Sequence, residues 1–207
     1  MPSENKVNYL FWLCHYLITA YMRTLCRLKL TGTDKIPRDG GLIVASNHIA
    51  GADPFLLGSM MPREMWFMAK KELFEVPVQG WFISHVNAFP VDRFGFDLEV
   101  IKTSISLLKQ ERALIMFPEG TRSKDGAIME GKIGVGMLAR KAGVPIVPVY
   151  LENTKKAWWN FLTGKRLIAR VGDAIEADWI TERKNNKEGY REITDLLMQR
   201  IKALQEE

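Results

Sequence analysis

The stretch Leu42-Ile43-Val44-Ala45-Ser46-Asn47-His48-Ile49-Ala50-Gly51-Ala52-Asp53-Pro54 passes from an unbroken apolar run into a polar turn, and Phe55-Leu56-Leu57 resumes the apolar pattern. A short apolar run without alternation predicts a strand covered on both faces. Asp53-Pro54 is a helix-start signal, an aspartate at the cap with proline in the first turn. The stretch therefore predicts a strand, a turn and a helix, with a histidine and an aspartate delivered to the turn. Working outward, the alternation repeats. Strands are predicted over 42–46, 65–69, 113–117, 145–151 and 167–171, and helices over 54–61, 78–84, 96–110, 132–142 and 188–205. This is the pattern of an α/β domain with a central, mainly parallel or mixed sheet flanked by helices.

At 207 residues the chain is long enough for one substantial core, and 47% hydrophobic with 26% charged residues is ordinary for a globular protein. A net charge of +5 points to anionic partners without choosing among phosphates, a membrane surface and nucleic acid. Cys14 and Cys26 are the two cysteines. On one helix they would stand about 18 Å apart, too far to pair, which fits reduced thiols in the cytosol.

The segment 7–30 predicts a helix of its own. Asn8, His15, Thr19, Arg23 and Arg27 recur at intervals of seven, four, four and four, a narrow polar stripe, while aromatic and aliphatic residues occupy the rest of the circumference. Such a helix suits a membrane interface, with a buried packing helix as the alternative. His15 and Thr19 interrupt the apolar run needed for a full span, and a signal peptide lacks its basic start and its cleavage site. The domain division is 1–30 as an amphipathic membrane-docking helix and 31–207 as the remainder.

Three stretches offer chemistry. His48 takes a proton at neutral pH when a carboxylate such as Asp53 fixes its tautomer, and Gly51 is expected to fold the turn that lets the two meet. The alternative leaves Asp53 as a helix cap and His48 as a strand end. Phe117-Pro118-Glu119-Gly120-Thr121-Arg122-Ser123 follows a strand: glycine admits a close ligand, Arg122 offers donors for phosphate, and Glu119 is expected to orient the neighbouring cations. The alternative is a plain surface turn. Asn87-Ala88-Phe89-Pro90-Val91-Asp92-Arg93 reads as an apolar turn that brings up an arginine, for phosphate or for a surface ion pair. Lys70 and Lys132 add positive charge.

Other signatures fail. The chain has neither a G-x-S-x-G elbow nor a P-loop. Gly134-Val135-Gly136-Met137-Leu138-Ala139 fits the dinucleotide pattern, but no strand precedes it, and small residues packing a helix explain it better. No metal-ligand cluster accompanies His48 and Asp53, so no metal is expected, and no nucleic-acid motif appears.

Together these stretches resemble the glycerolipid acyltransferase family, which contains the 1-acylglycerol-3-phosphate acyltransferases. Asn47, His48 and Asp53 match its N-H-x-x-x-x-D motif; residues 89–93 match its second motif, 117–123 its F-P-E-G-T-R-S, and 144–149 its V-P-[IV]-[VI]-P-V. Asn87 departs from the glycine of many members. The order and spacing agree from about residue 31 to 171. The resemblance implies that His48 deprotonates an acceptor hydroxyl and that Asp53 orients His48. It also implies that Arg93, Glu119, Gly120 and Arg122 bind the acceptor's glycerol phosphate. Lys70 and Lys132 join them on grounds of charge. The implied partners are a lysophospholipid, acyl-CoA or acyl carrier protein as donor substrate, and a membrane surface, with no cofactor and no nucleic acid. The implied location is peripheral or monotopic on the cytoplasmic face of the cell membrane. The apolar run 144–149 is expected to be core, with a secondary role as an acyl-chain wall.

Overall fold

A computed structural model describes residues 9–91, 98–159, 162 and 164–207. In chain order the elements are α1 (Tyr9–Thr24), β1 (Lys29–Thr31), β2 (Leu42–Ser46), α2 (Asp53–Met60), β3 (Met65–Lys70), α3 (Lys71–Glu75), α4 (Pro77–His85) and β4 (Ala88–Val91). They continue with α5 (Leu98–Lys109), β5 (Ala113–Met116), α6 (Gly134–Ala142), β6 (Ile146–Glu152), β7 (Ile168–Val171), α7 (Ala177–Glu182) and α8 (Lys187–Ala203). The strands form one seven-stranded sheet in the order β1-β7-β6-β2-β5-β3-β4, parallel except between β6 and β7.

The apolar runs lie in the sheet because both of its faces are covered. Along β2, Leu42 and Val44 enter the core beneath α1 and α2, while Ile43 and Ala45 enter the core beneath α5, α6 and α8. The run 144–149 is interior: Ile146, Val147 and Val149 are fully buried, and β6 lies between β2 and β7. The glycine-rich stretch at 134–139 is a packing contact. A Cβ on Gly136 would lie 2.2 Å from the carbonyl oxygen of Tyr190, so only glycine lets α6 and α8 approach this closely.

The N-terminal segment departs from its expected form in two ways. The helix stops at Thr24, and Lys29–Thr31 leave it to pair with β7 as an edge strand, so Cys26 lies beyond the helix, buried and reduced. The polar stripe divides: Arg23 and Arg27 stay exposed, but His15 and Thr19 face α2. The His15 imidazole donates Nδ1–H to Gly58 O at 3.2 Å, and the Thr19 hydroxyl donates to Ser59 O at 2.5 Å. Both carbonyls belong to the last turn of α2, where no helical partner remains for them. The polar side of α1 thus caps another helix, and Tyr9, Leu13, Tyr16 and Leu17 are left exposed on its outer side.

At the opposite edge of the sheet from the strand ends discussed below, Arg63 ties three segments together. Its guanidinium donates to Gly40 O at 2.9 Å, Glu111 O at 2.5 Å and, at the limit of a hydrogen bond, Pro37 O at 3.5 Å. Methionine fills a similar volume but donates nothing. Arg63→Met is expected to lower stability by about 2–3 kcal/mol, the worth of one or two charge-assisted bonds at a half-buried site. Urea unfolding checks this, and a change below about 0.5 kcal/mol would show the three bonds to be dispensable.

Candidate active site

In a parallel sheet the carboxyl ends of the strands share one edge, and the loops leaving them converge there. Here β2 delivers Asn47 and His48, β5 delivers Phe117 to Gly120, β3 ends at Lys70 and β4 at Val91. Between them lies a pocket of about 250 Å³ whose lining includes His48, Met68, Val91, Phe117, Gly120 and Lys132.

His48 and Asp53 meet. The His48 Nδ1–H donates to Asp53 Oδ2 at 2.8 Å, and the same oxygen accepts the backbone N–H groups of Ile49 at 2.7 Å and Ala50 at 2.8 Å. The carboxylate is fully buried and reaches back into the turn that carries the histidine. It does not cap its helix: Ala52 holds the cap position, Asp53 is the first helical residue, and its Oδ1 has no partner among the described residues. Nor does Gly51 supply a special backbone conformation, since its φ is not positive. Asp53 itself closes the turn. Nor is space the reason for glycine, since a Cβ there would stand 3.5 Å from Arg122 Nη1, an ordinary contact. With Nδ1 held by the carboxylate, Nε2 is the remaining polar atom of a ring that lines the pocket.

Two residues that fix this geometry were matched to motifs in the sequence but given no role there. Asn47 is buried at the end of β2; its Nδ2 donates to Leu151 O at 2.9 Å and its Oδ1 accepts Leu151 N at 2.8 Å, a double clamp on β6. Phe117 stacks on the imidazole, with ring centroids 4.0 Å apart and planes 19° apart. Motif membership marked both, but neither the clamp on β6 nor the stacking on the imidazole is encoded locally. A backbone bond from Ser123 N to His48 O at 2.8 Å then ties the β5 loop to the β2 turn.

The basic candidates fall in different places. Lys132 lines the pocket, positioned by its backbone N–H bond to Pro118 O at 2.8 Å. Gly120 adopts φ +71°, a conformation that favours glycine, and a Cβ there would come within 2.9 Å of Lys132 Nζ, so any larger residue would push the lysine side chain aside. Arg122 is exposed above Gly51, and Lys70 is exposed at the end of β3, outside the pocket lining. Arg93 lies outside the described residues. None of the run 144–149 lines the pocket, so it forms no acyl-chain wall there.

Glu119 differs from expectation. Its side chain is buried, and among the described residues no ion pair or well-formed hydrogen bond joins its oxygens to Arg122 or Lys132. Burial pushes its pKa up and the charge of Asp53 adds to the rise, while the N–H groups of His48 and Met129 oppose it; the result is about 7, against an ordinary 4.5. A carboxyl that holds its proton more tightly when folded stabilises the protein most below about pH 4.5, and that contribution is lost as pH rises through about 7. Glutamine carries no such cost. The thermal midpoint of Glu119→Gln should therefore gain on that of wild type between about pH 5 and 7 and level off above. A gap independent of pH would show that the buried carboxyl does not titrate in this window.

Residues 27–152, more than half of the chain, match the family model Acyltransferase. The 1-acyl-sn-glycerol-3-phosphate acyltransferase of Bacillus subtilis (strain 168) is 32% identical over 180 residues, which cover 86% of this chain and 88% of that protein. The enzyme of the same name from Streptococcus pneumoniae (strain ATCC BAA-255 / R6) is 34% identical over 180 residues, 84% of this chain and 65% of its own length. In fold, the chain is similar to the crystal structure of the 1-acyl-sn-glycerophosphate (LPA) acyltransferase PlsC from Thermotoga maritima, with a TM-score of 0.73 at 24% identity over 97% of this chain and 79% of that one. A family match that spans the His48–Asp53 turn and the whole Phe117–Ser123 loop, and a relative aligned along most of its own length, place this chain in the acyltransferase family.

Proposed function

We propose that this protein transfers a fatty acyl group from an acyl thioester, carried on coenzyme A or acyl carrier protein, to the free hydroxyl of lysophosphatidic acid, forming phosphatidic acid. The observation that carries the reading is the buried His48–Asp53 pair at 2.8 Å on the wall of the pocket. His48 Nε2 takes the hydroxyl proton as the oxygen attacks the thioester carbonyl. The tetrahedral intermediate collapses, the carbon–sulfur bond breaks, and the imidazolium returns its proton to the departing thiolate. Asp53 holds the ring in the tautomer that leaves Nε2 free and stabilises the imidazolium. A thioester is already activated, so no acyl-enzyme is required. The two thiols suit that role poorly: burial pushes the pKa of both Cys14 and Cys26 up, away from thiolate.

The acceptor's phosphate would be met by Lys132 inside the pocket, with Arg122 and Lys70 outside its lining, while Gly120 leaves room and Glu119 borders the site; Arg93 would join them on the strength of its motif. The named activity of the Bacillus subtilis and Streptococcus pneumoniae relatives supports this choice of acceptor. Among the described residues no helix is long and apolar enough to cross a membrane. The outward apolar side of α1 supports docking on a lipid surface, and the cytoplasmic leaflet is the place where donor and acceptor coincide. Residues 1–30 would then serve docking and 31–207 catalysis.

A panel of acceptors with one acyl-CoA tests the reading: lysophosphatidic acid, glycerol-3-phosphate, other lysophospholipids and an amino-acid lipid. Lysophosphatidic acid is expected to give the highest kcat/KM. Preference for an acceptor without a phosphate would overturn the assignment.

A further inference from the structure

The α3–α4 corner carries an apolar surface that the core does not use. Val76, Val78 and Trp81 are 48%, 81% and 58% exposed, while Ile83 and Phe82 on the same short helix turn inward. The corner is built tightly. Gly80 packs against the backbone of Phe74, where a Cβ would lie 2.2 Å from the carbonyl oxygen, and its N–H bonds to Val76 O at 2.6 Å. Three apolar side chains are therefore presented on a fixed support.

Its position is specific. β3 contributes Met68 to the pocket lining and passes at Lys70 directly into α3, so the corner leaves the sheet at the pocket's edge. Its inner side shares a groove with α1: Phe11 and Ile18 of α1 face Phe82 and Val86 of the α4 segment across it. The corner and α1 are therefore neighbours across one groove, which their inward side chains line. Exposed Lys70 and Lys71 stand at the base of the corner, accompanied by Glu72 and Glu75. An indole with small apolar neighbours and lysines within reach of headgroups is the composition of a membrane-interface anchor. Three side chains are too few to form a stable protein–protein interface.

We propose that the α3–α4 corner is a second membrane-docking element, which inserts Val78 and Trp81 into a lipid surface and sets the pocket's edge against the bilayer; this rests on the reading of the acceptor as a membrane lipid and of α1 as a docking helix. Two contacts on either side of one groove fix an orientation, whereas a single helix leaves the domain free to swing.

Sedimentation of the full chain with large unilamellar vesicles of phosphatidylcholine and phosphatidylglycerol tests it, comparing wild type with Val78→Asp/Trp81→Asp and with Tyr16→Asp/Leu17→Asp. All the substituted side chains are exposed, and circular dichroism checks folding. The corner variant should bind vesicles at least roughly tenfold more weakly. It should also raise KM for vesicle-borne lysophosphatidic acid while keeping its kcat on a short-chain acceptor in solution. If the α1 variant loses binding while the corner variant binds like wild type, the proposal fails and the α1 reading stands. If wild type itself does not bind, both fail. If short-chain turnover is absent in wild type, the acceptor reading fails independently of docking.

Discussion

His48→Ala is expected to lower kcat for acyl transfer by about 10²–10⁴-fold, with little change in KM for the donor. The magnitude is that of a lost general base, because Lys132 and Gly120, which line the same pocket, lie on a different loop and stay in place. The substitution also removes the ring that Phe117 stacks on, at 4.0 Å, so a folding control belongs beside the rate. An alanine variant that is folded and turns over within a few-fold of wild type would remove His48 from the mechanism.

Asp53 should show a graded response, because one oxygen does all of its work. Oδ2 accepts His48 Nδ1, Ile49 N and Ala50 N, and Oδ1 accepts nothing from the described residues. Asparagine with its carbonyl in the place of Oδ2 keeps all three bonds and the histidine tautomer, and loses only the negative charge that stabilises the imidazolium. Asp53→Asn should therefore cost about 10–10²-fold in kcat, the worth of one charge-assisted bond. Asp53→Ala leaves the imidazole unoriented and two backbone N–H groups without an acceptor. It should cost about 10²–10⁴-fold in kcat and about 2–4 kcal/mol in stability. Parallel rate measurements and denaturation curves check both. Equal losses for the two variants would mean that charge alone matters, and the three-donor turn would then have no catalytic part.

How legible this was in the sequence depended on how each element is stabilised. β2, β3, β5 and β6 announced themselves because strands covered on both faces carry unbroken apolar runs, and β7 was legible from the apolar residues on either side of Arg170. β1 escaped notice: Lys29-Leu30-Thr31 is three residues long, pairs on one side only, and continues the basic end of α1 in pattern. β4 was read as a turn because it contains Pro90. As an edge strand it tolerates a residue without an N–H. The short α3 and α7 carry too little periodicity to be read.

In the site, residue types were legible and directions were not. The residues alone left the pairing of His48 with Asp53 open against a cap and a strand end, and the family resemblance favoured it; in the structure a carboxylate reaching back over its own turn replaces the expected cap and glycine turn. Glu119 was expected to orient the neighbouring cations. Its burial depends on the loop around Met129, which contributes one of the N–H groups facing the carboxyl, and no local pattern encodes that approach. The stripe on α1 was visible as a stripe. Which side faces the protein was decided by the two open carbonyls of α2, Gly58 and Ser59, and those belong to a different stretch of chain.

The most direct test of the central claim measures two products at once. Purified protein is given lysophosphatidic acid with an acyl-CoA, and in a second arm with an acyl carrier protein thioester. Free thiol and phosphatidic acid should appear together in equal amounts, with at least one donor, and both should disappear when lysophosphatidic acid is omitted. Folded protein that releases no thiol with either donor would contradict the account and leave a lipid-binding domain in its place.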